Sequence, residues 1–164
     1  MHTITSLATD DRRARMVLAC MTEPGDAVTG RLVRKLGAVE TVGLVGSQGT
    51  VAGMSRVEAG LWRMRLGERA DASLIRSTVR AAETRGLVVL IPRDKAWPAG
   101  FAVLRDRAPL ALWTRGVASL LTTSLPGLVT ITGARAATAY GAHVARRSIA
   151  SNLTHSLHSP PLTG

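Results

Sequence analysis

The segment Gly86-Leu87-Val88-Val89-Leu90-Ile91-Pro92 is where the hydrophobic period of the chain changes. Five consecutive apolar residues between a glycine and a proline are too few for a helix and suit a buried strand, whereas the residues before them repeat at helical spacing. Two similar runs follow, Leu110 to Thr114 and Leu128 to Thr132. The reading is therefore an α/β chain: helices first, then strands.

Upstream, five helices are expected. Asp10-Asp11 caps a segment from Arg12 to Met21 with Met16, Val17 and Cys20 on one side, and Pro24-Gly25 ends it. Leu32, Val33 and Leu36 form a second helical face closed by Gly37, and Val39, Val42 and Val45 a third that Gly43 and Gly46 interrupt. Ser55-Arg56-Val57-Glu58 has the form of a capping box, opening a helix with Val57, Leu61 and Met64 inward. Asp71 opens the fifth helix, with Leu74, Ile75, Val79 and Ala82 on one face, and Gly86 stands where a left-handed cap would end it.

Downstream, an irregular connection carries Trp97-Pro98 and Phe101-Ala102-Val103-Leu104, with Trp97 expected to plug a core. After the third run comes Gly133-Ala134-Arg135-Ala136-Ala137-Thr138, then a helix from about Ala139 to Leu153 with Val144, Ala145, Ile149 and Leu153 inward. His143, Arg146 and Arg147 fall on its other side. A glycine at a strand end followed by a helix N-terminus makes an anion site, and Arg135 inside the loop favours phosphate. Thr138 suits the N-cap position. Residues 154–164 are polar, contain Pro160-Pro161 and show no periodicity, so a disordered tail is expected.

The chain of 164 residues carries 21 Lys and Arg against 11 Asp and Glu, a net charge of +10. Only Lys35 and Lys95 are lysines, so the excess is arginine, whose fork of donors matches phosphate. No acid follows Asp106, while Arg107, Arg115, Arg135, Arg146 and Arg147 do. A single cysteine, Cys20, excludes a disulfide framework and a cysteine metal site, and His2, His143, His155 and His158 lack ligand spacing. No cofactor is implied. The absence of a signal-peptide core or a membrane-length apolar run leads to the expectation of a cytoplasmic protein without a membrane partner.

Two phosphate motifs do not fit. Gly25 and Gly30 have P-loop spacing, but Arg31-Leu32 stands where Lys and Ser/Thr are required. The stretch from Pro24 to Leu36 could be a helix-hairpin-helix, yet without the Gly-x-Gly hairpin it reads better as a turn between packed helices. A dinucleotide site at Gly133 would need Gly-x-Gly-x-x-Gly and an acidic residue about 20 positions on, and neither is present.

Ala108-Pro109-Leu110-Ala111-Leu112-Trp113-Thr114-Arg115-Gly116, followed by Val129-Thr130-Ile131-Thr132-Gly133-Ala134-Arg135-Ala136-Ala137-Thr138-Ala139-Tyr140-Gly141, resembles the paired motifs of the DNA-processing protein A (DprA/Smf) family. Ile91-Pro92-x-Asp94-x-x-Trp97-Pro98 and the helical beginning also look like it, so the resemblance extends over residues 10–153. It implies a helical domain over 1–85, of the sterile-alpha-motif or helix-hairpin-helix kind, then the start of a Rossmann-like domain over 86–153. It also implies binding of single-stranded DNA, loading of the recombinase RecA, a homodimer and a role in natural transformation, without catalysis. Carried over by position, Gly133, Ala134, Arg135, Ala136 and Thr138 would hold or shape the site for DNA phosphates, and Tyr140 and Gly141 would set the first helical turn, Tyr140 by packing.

Departures accompany the likeness. Thr132 replaces the usual valine before the glycine, Ala139 a common proline, and Val117 an acidic or amide residue. The family's second phosphate motif, Ser-Gly-x-Ala-x-Gly-Ile-Asp, and the strands that carry its dimer and RecA surfaces have no counterpart before Gly164, so a truncated protein with impaired activity is expected. The alternatives are a Rossmann-like hydrolase of nucleoside monophosphates, which would need a glutamate-bearing loop, and a non-functional remnant.

Overall fold

The computed structural model describes residues 3–123, 138–144 and 146–147. The described chain is mostly helical, with one small antiparallel sheet. Residues 1–123 and 124–164 form separate compact units.

In the first unit, a 3-10 turn at Ile4–Leu7 leads into helices α1 (Asp11–Met21), α2 (Ala27–Leu36), α3 (Ala38–Val45), α4 (Arg56–Gly67) and α5 (Ala72–Thr84). Their starts follow from local chemistry. Asp10, Asp26 and Asp71 each accept backbone N–H bonds from the first turn of α1, α2 and α5. At α4 both arms of the capping box form: Glu58 N–H donates to Ser55 Oγ at 3.2 Å, and Ser55 N–H donates to Glu58 Oε2 at 2.8 Å. At the end of α5, Gly86 takes φ +69°, its N–H reaching Glu83 O and that of Leu87 reaching Ala82 O, the paired bonds of a Schellman cap.

The bundle core unites Leu18 and Met21 of α1, Leu32 and Val33 of α2, Val42 of α3, Trp62 and Leu66 of α4, and Ile75 of α5. The face of α4 is not the expected one. Val57, Leu61 and Met64 are 73%, 57% and 60% exposed, while Ala59, Trp62 and Leu66 turn inward. The reason is polar as well as apolar. Trp62 Nε1–H donates to Thr29 Oγ1 at 3.0 Å, and Thr29 donates to Asp26 Oδ2 at 2.8 Å. Asp26 also receives Arg65 at 2.6 Å, so one carboxylate caps α2 and ties it to α4. Smaller departures are alike: Val39 and Leu74 face solvent, and α3 runs through Gly43 unbroken.

Strands β1 (Val88–Leu90) and β2 (Leu112–Thr114) pair antiparallel, with Val89 opposite Trp113. Their connection is a 3-10 segment at Ala99–Arg107, kinked at Arg105, rather than the crossover helix of a parallel unit. Trp97 packs on Phe101 in this connection, ring centroids 5.5 Å apart, and stays half-buried outside the bundle core. The third run, Leu128 to Thr132, lies outside the described residues.

Two ion-pair clusters hold this segment to the helices. Arg12 makes paired 2.8 Å bonds to the two carboxylate oxygens of Asp94, and also donates to Val89 O. Asp94 accepts from Ile91 N–H at 2.8 Å, closing the turn after β1. On the other side, Arg34 and Arg31 of α2 converge on Asp106 at 2.8 and 3.4 Å. Helix α2 approaches so closely here that a Cβ on Gly30 would lie 1.9 Å from Asp106 O. Gly30 thus serves the close approach of α2 to the Ala99–Arg107 segment.

The paired Arg12 guanidinium, above all, holds the Asp94 carboxyl below its ordinary value of 3.8. Because the folded-state pKa is lowered, the pair stabilises the fold fully above that ordinary value and is lost as pH falls through the folded one. Asp94→Asn is expected to lower the urea midpoint at pH 7, with the gap from wild type closing as the pH drops below 3.8. A gap that stayed constant with pH would remove the pair from the stability of the fold. Gly30→Ala is expected to destabilise by about 1–3 kcal/mol through overpacking. Gly43→Ala, whose Cβ would meet nothing within 4 Å, is the matched control and should be neutral or stabilising. Equal midpoints for the two would contradict the close approach at Gly30.

Candidate nucleic-acid interface

The acidic side chains of the chain are largely occupied by its own structure. Asp10, Asp26, Glu58 and Asp71 cap helices, and Asp11, Glu23, Asp94 and Asp106 pair with Arg15, Arg69, Arg12 and the Arg31 and Arg34 couple. Glu40, Glu68 and Glu83 have no such role among the described residues. Several arginines, by contrast, are exposed with no carboxylate within ion-pair distance among the described residues: Arg56, Arg76, Arg80, Arg93, Arg107 and Arg115 in the first unit. Positive charge therefore remains outward after the internal pairing is complete.

Arg115 and Gly116 lie just beyond β2, and Gly116 takes φ +99°, a left-handed corner suited to glycine. The strand before them is anchored twice. Thr114 Oγ1 donates to Val88 O at 2.9 Å, and Arg15 of α1 reaches Leu110 O at 3.4 Å. Beside this strand, a cleft of about 280 Å³ opens between Ala108–Trp113 and the turn joining α1 to α2. Pro109 and Trp113 form one wall, Pro24 and Gly25 the other. At the helix start in this turn, the N–H groups of Val28 and Thr29 are taken by Asp26. That occupancy favours a packed turn over a DNA-gripping hairpin.

In the second unit, helical backbone covers 139–144 and 146–147. Thr138 caps it as expected: its Oγ1 accepts the N–H of Gly141 at 3.2 Å and its carbonyl accepts that of Ala142 at 3.0 Å. The hydroxyl thereby takes one of the first N–H groups, and among the described residues those of Ala139 and Tyr140 have no acceptor. Tyr140 is 77% exposed rather than packed, and Val144 is also exposed. His143, Arg146 and Arg147 face solvent, with Arg146 Nε–H donating to Ala142 O.

Of the residues expected at the phosphate site, Thr138 is described, and Gly133, Ala134, Arg135 and Ala136 lie outside the described residues, as do Ala145, Ile149, Leu153 and the tail. Sequence reading missed Arg12, Arg31 and Arg34 as structural partners, because nothing local marks an arginine whose carboxylate comes from a distant segment. No group of three His, Cys, Asp or Glu that could hold a metal occurs among the described residues. Burial raises the pKa of the Cys20 thiol, which disfavours the thiolate. No helix of the described residues is long and apolar enough to cross a membrane.

No known protein family, curated protein or solved structure matches the chain.

Removing the cap should loosen the helix. Thr138→Ala is expected to cost about 1 kcal/mol of local helix stability, read as faster hydrogen exchange at the Gly141 amide. Unchanged exchange there would show that the hydroxyl carries no capping role.

Proposed function

We propose that the chain is a non-catalytic binder of single-stranded DNA, related to the DprA/Smf family. The observation that carries this reading is the asymmetry of charge use. Acids are consumed in caps and ion pairs, while arginines such as Arg107, Arg115, Arg146 and Arg147 are exposed with no carboxylate at ion-pair distance among the described residues. A polyanion fits such a surface, and guanidinium forks suit its phosphates. The motif order supports single-stranded DNA as the polyanion. An Arg-Gly corner follows β2, and the Arg-containing sequence 133–137 precedes a Thr-capped helix whose first N–H groups favour an anion. In this proposal Gly133 and Arg135 contact the phosphates, Ala134 and Ala136 keep the loop open to them, and Thr138 fixes the helix start. A cytoplasmic setting belongs to the same proposal.

Binding that rests on phosphate contacts falls with salt and varies little with sequence. Fluorescence anisotropy with labelled oligo-dT and with a mixed-sequence oligonucleotide, each at two or more salt concentrations, is expected to give similar affinities and a steep salt dependence. Arg135→Ala should weaken binding and make the slope of log affinity against log salt shallower by about 0.7, the loss of one single-strand phosphate contact. Affinity independent of salt, or unchanged by Arg135→Ala, would overturn the proposal. A cooperative thermal melt is expected of the protein used, and a non-cooperative one would favour the remnant reading.

A further inference from the structure

The loop that joins α3 to α4 borders a cleft of about 500 Å³. One wall is formed by residues 48–51, the other by the side of α4 that carries Arg56, Gly60 and Arg63, and no acidic residue lines the space. Arg63 brings a charge that the fold does not neutralise. Its Nε–H donates to Leu44 O at 2.9 Å, while Nη2 donates to Ser47 Oγ at 3.1 Å and to Gly49 O at 2.6 Å. The half-buried guanidinium is therefore held by neutral groups, and its Nη1 has no acceptor among the described residues. Carbonyl dipoles make a cation tolerable in such a place without cancelling its charge. The same three bonds fix the loop, so the cleft is formed in advance of any ligand. Arg56, the first residue of α4, is exposed and has neither an ion pair nor a side-chain hydrogen bond among the described residues.

The loop adds donors. The N–H groups of Gln48, Gly49, Thr50 and Val51 have no acceptor among the described residues, although Val51 is only 2% exposed. A buried donor ordinarily finds a partner. Successive amides of this kind beside two guanidinium groups favour an oxyanion. Glu58, the acid of the first turn of α4, lines a different groove, toward α2, and its carboxylate is tied to the Ser55 N–H at 2.8 Å. Two cations and several amides lining one space exceed what a single carboxylate can use. A phosphate, with its oxygens arranged tetrahedrally, accepts from both walls at once, and the volume leaves room for a group esterified to it.

We propose that the cleft between residues 48–51 and α4 binds a phosphate group, free or as a monoester, with Arg56 and Arg63 meeting its charge and the loop amides its oxygens. The site shares no residue with the proposed DNA contacts and does not rest on them.

The test follows the amide resonances of the isotope-labelled full chain as sodium phosphate replaces sodium chloride at constant ionic strength. Saturable shifts at Gln48, Gly49 and Thr50 are expected with phosphate and not with chloride. Arg56→Gln should weaken this binding about tenfold, the loss of one charge-assisted hydrogen bond. Gly60→Glu, at a position where a Cβ would meet nothing within 4 Å, places a carboxylate in the cleft and should abolish binding. Both positions are exposed, so the thermal midpoint of each variant should stay at or above that of wild type. Fluorescence anisotropy of oligo-dT with and without a terminal phosphate separates the sources. Tighter binding of the phosphorylated strand, lost in Arg56→Gln, assigns the site to a strand end, and equal binding of the two assigns it to a small phosphate compound. Shifts that do not saturate, that chloride reproduces, or that survive both substitutions would overturn the proposal. A chain that bound phosphate but no oligonucleotide would keep this site and overturn the DNA reading alone.

Discussion

The bidentate bond between Arg12 and Asp94 is the constraint on which the arrangement of the first unit turns. Arg12 lies in the first turn of α1, and Asp94 closes the turn after β1, so one ion pair fixes the strand segment against the bundle. The same guanidinium takes the carbonyl of Val89, within the strand itself. A planar fork is needed for this, because a lysine could satisfy one oxygen but not hold a carboxylate and a carbonyl in fixed directions. Asp106 repeats the device from the opposite end of the connection, with two arginines of α2 and a helix brought close by Gly30. The small sheet thereby gains support that two three-residue strands would not provide alone.

Internal use of the acids has an outward consequence. Each carboxylate bound into a cap or pair is one fewer to offset the arginines, and Arg56, Arg76, Arg80, Arg93, Arg107 and Arg115 are exposed with no carboxylate at ion-pair distance among the described residues. Structure and electrostatics are coupled in this protein: Asp94 and Asp106 hold the segment between the strands to the helices, and Arg115 beyond β2 has no carboxylate at ion-pair distance among the described residues. The proposed affinity for a polyanion is a result of that imbalance.

Helix boundaries were legible because their causes are local. Asp10, Ser55, Asp71, Thr138 and Gly86 act on N–H or C=O groups within five residues, so the residue type and its spacing are sufficient. The buried face of α4 was not. Val57, Leu61 and Met64 satisfy helical periodicity as well as Ala59, Trp62 and Leu66 do, and the pattern alone has no means of choosing. The choice is made by an indole N–H that needs an acceptor when buried and finds it in Thr29, on another helix. Trp97 was misplaced for a related reason: its partner, Phe101, lies within its own connection rather than in the bundle.

The sequence by itself determined the order of helices and strands, the caps that start and stop them, and the positive charge that no acid after Asp106 offsets. Only the tertiary structure decided which side of α4 is covered, that β1 and β2 run antiparallel, and which arginines are spent on Asp94 and Asp106. The physical reason is range. Capping and periodicity act over one helical turn, whereas strand direction, burial and ion pairing join residues far apart in the chain, and no local pattern encodes their partners.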